Sequence, residues 1–189
     1  MSKQGEGRLY DEKDLTERLK NGEEAAFETL VKAHQREIYH LALKMMGNHD
    51  DADEVTQRTF INVYRKIATF KGKSKLRTWI YRIAVNQAKN RFRERSRTAG
   101  LPEEFAPADP SPPVTQMLEQ EAMRSLLSRA IAALPHLQKA VVSLRVNEQL
   151  AFSEIAAIVG CSTGSAKVNY HHGVKRLREM LQAHREREG

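Results

Sequence analysis

The sequence has one cysteine, Cys161, so an intramolecular disulfide framework and a thiolate metal cluster are both excluded. No apolar run approaches the ~20 residues of a membrane span. The N-terminal stretch is polar and lacks the apolar core of a signal peptide, which leads us to expect a cytoplasmic protein. Proline is nearly absent from most of the chain: five of the six residues, Pro102, Pro107, Pro110, Pro112 and Pro113, fall in one short stretch. Strand alternation and internal repeats are also missing. There is no nucleophile–base pair, phosphate-binding glycine loop or metal-ligand cluster, so no enzyme activity, metal or cofactor is expected.

What the chain does have is positive charge in one place. Ten of its 31 basic residues lie between Lys71 and Arg97 against a single acid, Glu94. That segment carries +9, whereas the whole chain carries only +7. Within it Leu76, Trp79, Ile80, Ile83, Ala84 and Ala88 recur at helical spacing, so one face packs and the other presents cations. The preceding loop, Phe70-Lys71-Gly72-Lys73-Ser74, supplies an aromatic, a glycine turn and Ser74 as the expected N-cap. An aromatic, a basic loop and a basic helix in succession point to nucleic acid.

Three helices are expected ahead of this one: 9–21, 23–46 and 50–68, stopped in turn by Asn21-Gly22, Gly47 and the basic loop. With the helix from Lys75 to about Arg95, they close a small four-helix bundle. Asp50, Asp51, Asp53 and Glu54 open the third helix. Either they compensate its dipole or they face a basic protein partner. The proline-rich stretch, residues 98–116, reads as an extended acidic linker. Beyond it, residues 117–185 hold a second all-helical unit. Its final helices, carrying Ile155, Ala156, Gly160, Ala166 and Tyr170, have helix-turn-helix spacing. Ser153 and Ser162 are the expected caps. Lys167, Asn169, His171 and His172 then lie on or near the exposed face, with Lys175 and Arg176 suited to phosphates. Adjacent helical histidines diverge by about 100°, so His171 and His172 do not make a joint metal site. Cys161 reads as a small apolar residue of the turn.

Two sets of motifs then resemble one family. The first is Gly22-Glu23-Glu24-Ala25-Ala26-Phe27, Asp51-Ala52-Asp53-Glu54-Val55-Thr56-Gln57-Arg58-Thr59-Phe60, the Phe70–Ser74 loop and Thr78-Trp79-Ile80-Tyr81-Arg82-Ile83-Ala84-Val85-Asn86. The second is Leu134-Pro135, Glu154-Ile155-Ala156 and Lys175-Arg176-Leu177-Arg178. Together they resemble the extracytoplasmic-function type of bacterial sigma-70 family factor. The resemblance implies a transcription-initiation subunit with RNA polymerase core and promoter DNA as partners, and an anti-sigma factor besides. It implies a region 2 domain over 9–97, the linker over 98–116 running near the RNA path of the polymerase, and a region 4 domain over 117–185.

By the same resemblance, Asp50, Asp51, Asp53, Glu54, Gln57 and Phe60 fall in the polymerase-docking helix. Phe70, Lys71, Lys73, Ser74, Lys75, Arg77, Asn86, Lys89, Asn90 and Arg93 fall on the −10 surface, with Phe70 and Asn86 holding a flipped base and Trp79 in helix packing. Ser165, Lys167, Val168, Asn169, His171, His172, Lys175 and Arg176 fall on the −35 surface. Two departures stand out. The usual Asp-Ala-Glu-Asp order is Asp-Ala-Asp-Glu here, and the arginines usual near Asn169 and His172 are absent. The competing expectation is a stand-alone helix-turn-helix regulator, which leaves the basic loop and the acidic helix without a task.

Overall fold

The computed structural model describes residues 11–99, 126, 127 and 129–188. The linker expected over 98–116 and the helix start expected near Met117 lie almost wholly outside the described residues. Every regular element described is helical: α1 Glu12–Lys20, α2 Glu24–Met46, α3 His49–Lys66, a 3-10 turn Ile67–Thr69, α4 Leu76–Ala99, then α5 His136–Val146, α6 Phe152–Val159 and α7 Thr163–Glu188. The described fold is all-α, with one group of helices within residues 12–99 and a second within residues 136–188.

Local chemistry sets most of the boundaries. Asp11 caps α1 by accepting from the amides of Lys13 at 2.7 Å and Asp14 at 3.3 Å. Asn48 does the same for α3, through the Asp51 amide at 2.8 Å. Gly47 ends α2 in the left-handed conformation at φ 82°. The amide of Leu76, at the head of α4, is taken by Glu12 Oε1 of α1 at 2.7 Å. The helix expected to be capped by Ser74 thus receives a carboxylate from 64 residues away. Ser153 is also not a cap. It lies inside the first turn of α6, and Glu154 Oε2 accepts from the Ala151 amide at 3.1 Å. Ser162 caps α7 as expected, its Oγ accepting from the Ser165 amide at 3.1 Å.

In the N-terminal group α2 packs on α1, α3 and α4, and α3 packs on α4. The core there is built from Leu15, Leu30, Ile38, Met45, Val55, Val63, Leu76, Ile80 and Val85. In the C-terminal group α7 lies across α5 and α6. The turn between α6 and α7 is made by Gly160 at φ 78°, with its amide and that of Cys161 both donating to Ala156 O. The two groups also meet each other, α4 on α6 and α2 on α5. Leu144, Ile155, Ile158 and Ala166 belong to the same buried cluster as the N-terminal core.

Gly173 lets α7 cross close over α5. A Cβ there would stand 2.7 Å from Val142 Cγ2 and 3.5 Å from Gln138 Cβ, both buried. Valine is short and stiff, so it cannot swing aside. Gly173→Ala is expected to lower unfolding free energy by about 1–3 kcal/mol, read by urea denaturation with an unchanged m-value.

Candidate nucleic-acid interface

The cationic and polar side chains of α4 and of the loop before it divide into three groups. The first is neutralised by α3. Arg91 Nε donates to Asp51 Oδ1 at 2.6 Å and Arg95 Nη1 to Asp51 Oδ2 at 2.5 Å. Arg91 also pairs with Glu54 at 3.0 Å, and Arg58 with Glu54 at 2.6 Å and Glu94 at 2.9 Å. Burial works against the charge on Asp51. Hydrogen bonds from Asn48, Arg91 and Arg95 outweigh it and hold the carboxyl below its ordinary range. Asp51 was expected among polymerase-docking residues, but its side chain is spent on this network. Phe60 is likewise buried in the core. Neither can meet a partner unless the bundle opens. Asp50, Asp53 and Gln57 are exposed, Glu54 half so.

The second group faces the C-terminal helices. Arg77 Nη2 donates to Glu148 Oε2 at 2.6 Å, and its Nε lies 3.3 Å from Glu37 Oε2. Tyr81, fully buried, donates to the same Glu148 oxygen at 2.8 Å. Burial, with the carboxylates of Glu148 and Glu37 beside it, pushes the Tyr81 phenol far up despite Arg77, so it remains a donor. Lys75 pairs with Glu154 at 3.4 Å. Arg82 donates to Ala157 O at 2.9 Å and Lys89 to Val159 O at 3.3 Å. These carbonyls belong to the last turn of α6, where the helix dipole is negative. Arg77 and Lys89, expected on the −10 surface, are engaged at this junction.

The third group is solvent-exposed. Lys71, Lys73, Asn86, Asn90 and Arg93 are exposed, and Ser74 is half-buried. Phe70, expected as a stacking platform, is 6% exposed. Its ring packs at 5.3 Å, tilted, on half-buried Trp79, which covers it. Phe70 is therefore a wall rather than a free face. It lines a cleft of about 850 Å³ between α1 and the basic loop, whose other walls include Glu12, Lys13, Thr16, Lys20, Ser74 and Lys75.

On α7, Lys167, Val168, His171, His172, Lys175 and Arg176 are exposed and Ser165 is half-buried. Asn169, expected to read bases, spends its amide donor on its own helix: Nδ2 reaches Ser165 O at 2.9 Å and Ser165 Oγ at 3.3 Å.

Two family descriptions match the chain, Sigma-70 region 2 over residues 30–98 and Sigma-70 region 4 over residues 124–177. The RNA polymerase sigma-H factor of Pseudomonas aeruginosa is 32% identical, over 92% of this chain and 96% of that protein. The ECF RNA polymerase sigma-E factor of Escherichia coli is 35% identical, over 81% and 85%. Among solved structures, CnrH in complex with the cytosolic domain of CnrY matches with TM-score 0.69 at 20% identity, covering 91% of this chain and 97% of that one. RpoE in complex with the anti-sigma factor NepR from Bartonella quintana matches with TM-score 0.65 at 22% identity, covering 82% and 96%.

The chain belongs to the extracytoplasmic-function type of the sigma-70 family.

This sigma factor is therefore a transcription-initiation subunit, which directs RNA polymerase core to promoters, and its family works as initiation factors rather than catalysts. No described helix is long and apolar enough to cross a membrane. The sequence reading missed the contribution of α1 to the cleft beside the basic loop. Its amphipathic pattern marked α1 only as a packing helix, and nothing local ties Glu12 or Thr16 to residues 70–75. Tyr64, expected by its spacing to pack inside α3 with Val63 and Ile67, is instead 58% exposed, and Ile61, which carried no expectation, is 42% exposed one turn before it.

Lys139 sits at the junction of the two regions. It is 5% exposed, and its Nζ donates to Met45 O near the C-terminus of α2 at 3.3 Å. Burial pushes its pKa down from 10.5 to about 8. The folded state thus disfavours the proton. That penalty is present in full below pH 8, fades as pH rises, and is gone above the unfolded value. Lys139→Met is expected to raise stability at pH 7 by about 2 kcal/mol. The difference from wild type should shrink steadily above pH 8, as thermal melts at successive pH values would record.

Proposed function

We propose that this sigma factor divides promoter recognition between its two regions, with region 2 over 9–97, a tether over 98–116 and region 4 over 117–185. The single observation that carries the reading is the separation of the exposed cations into two surfaces on different elements. One is the basic loop with the outer face of α4; the other is the face of α7.

On the first surface, Lys71, Lys73, Asn90 and Arg93 hold the backbone of the −10 element. A base flipped from the non-template strand enters the cleft beside Phe70, and Asn86, exposed on α4 outside that cleft, supplies edge hydrogen bonds to a neighbouring base. Arg77 and Lys89 join this surface only when α6 moves off α4, because Glu148 and Val159 O occupy them in the packed state. On the second surface, the N-terminal turns of α7 enter the major groove of the −35 element, and Lys175 and Arg176 contact phosphates. Asp50, Asp53 and Gln57, together with Ile61 and Tyr64, form the exposed face of α3 offered to RNA polymerase core. The two acids lie in the first turns of α3 and the apolar pair further along the same face, a pattern suited to a partner that sets a basic patch beside an apolar one. An anti-sigma factor is the further partner we propose, and NepR plays that part for the RpoE that this chain resembles in fold.

Two variants separate these roles. Asp50→Lys with Asp53→Lys alters only exposed acids and spares the Asp51 network. Pull-down of core polymerase should fall at least tenfold while the circular dichroism spectrum is unchanged. Wild-type recovery of core would reduce these acids to dipole compensation. Asn86→Ala should leave core binding intact and lower promoter opening by roughly tenfold, the size of one lost base-edge contact. Permanganate footprinting on a linear template measures it. Unchanged opening would remove Asn86 from base recognition.

A further inference from the structure

Six large apolar side chains are exposed among the described residues: Ile61, Tyr64, Leu127, Val146, Val168 and Met180. Val168, at 53% exposed, is the one in the first two turns of α7. Those are the turns of a helix-turn-helix recognition helix that reach base edges. Gly164, Lys167, Val168, His171, His172 and Lys175 form one continuous exposed face. Apart from Gly164, the neighbours of Val168 on that face are cationic or titratable. Asn169, beside it, has turned its amide donor inward onto Ser165. Val168 thus presents two bare methyl groups in the middle of a face otherwise built for polar contact.

The major-groove edges of the four base pairs carry donors, acceptors and one apolar feature, the C5-methyl group of thymine. A β-branched side chain on a helix holds one χ1 rotamer, so its methyls are presented in a fixed position with little entropy left to lose. We propose that Val168 reads a thymine methyl group in the −35 element, an inference that rests on the assignment of α7 to that element. Lys167 and the two histidines flank this contact and supply the polar readout and the phosphate grip. Val168 therefore makes one T·A pair a determinant of promoter choice for this chain. An arginine or serine in its place would favour different pairs by hydrogen bonding.

The test uses holoenzyme, reconstituted from the full chain and core RNA polymerase. A −35 sequence is first selected from a duplex library randomised in that region. Each thymine on either strand is then replaced singly by deoxyuridine, which lacks only the 5-methyl group. At one position the replacement should weaken wild-type binding roughly three- to fivefold, as expected for one buried methyl. Val168→Ala holoenzyme should bind the thymine template weaker by a similar factor and show no further loss with deoxyuridine there. An equal deoxyuridine penalty in both proteins, no penalty at any position, or a selected element with no thymine would overturn the assignment of Val168. Holoenzyme that selects no −35 sequence at all would overturn the region 4 reading with it. Val168 is exposed, so the alanine variant leaves the core of α7 untouched.

Discussion

A helix as basic as α4 can close a bundle only if its charge is met at the faces it buries. Asp51 is the centre of that requirement. It lies beneath Arg91 and Arg95, is 4% exposed, and reaches them at 2.6 and 2.5 Å. Its placement follows from Asn48, whose side chain both caps α3 and donates to Asp51 Oδ2 at 2.7 Å. A carboxylate so buried is tolerated because every oxygen has a charged or amide donor. With α3 and α4 clamped in this way, the remaining cations of α4 are forced onto its other faces, where a partner can reach them.

Part of that partner is the chain itself. The final carbonyls of α6 receive Arg82 and Lys89, and Glu148 receives Arg77 and Tyr81. The C-terminal group thus meets the basic helix with the same chemistry a phosphate backbone offers, negative oxygens at hydrogen-bonding distance. The consequence is selective. Lys71, Lys73, Asn86 and Asn90 stay open, whereas Arg77 and Lys89 do not. The outer face of α7, with Lys167, His171, His172 and Lys175, remains exposed in the same arrangement. In this packing the loop cations and the outer face of α7 are accessible to solvent, whereas Arg77 and Lys89 are accessible only once their partners Glu148 and Val159 O have moved away.

The junction also contains a group that the contact requires and that opposes it. Lys139 loses most of its hydration to reach Met45 O, and Lys44 nearby is also held below its ordinary pKa by burial, against the pull of Glu148. A cation desolvated for one hydrogen bond makes the interface weaker than its buried apolar area implies. Such an interface can be held shut or opened by a modest binding energy from elsewhere. The close crossing at Gly173, by contrast, lies within the C-terminal group and does not depend on the junction.

By itself the sequence determined the helices, their order and their chemistry. Periodicity is local, so the α2 stripe and the α4 stripe were legible, as were the Gly47 stop and the Ser162 cap. The motifs around Asp51, Phe70 and Asn86 carried the family. Only the tertiary structure decided which of the charged residues are free. Glu12 caps a helix 64 residues away, Asp51 turns inward while Asp50 and Asp53 turn out, and Phe70 lies under Trp79. Arg77 and Lys89 are taken by a region that the sequence places beyond a long tether. Each of these outcomes depends on a partner distant in the chain. A charge or an aromatic ring has the same local signature whether it ends in water, against another helix or on DNA. Burial and pairing distance separate those fates, and both arise only when the helices pack.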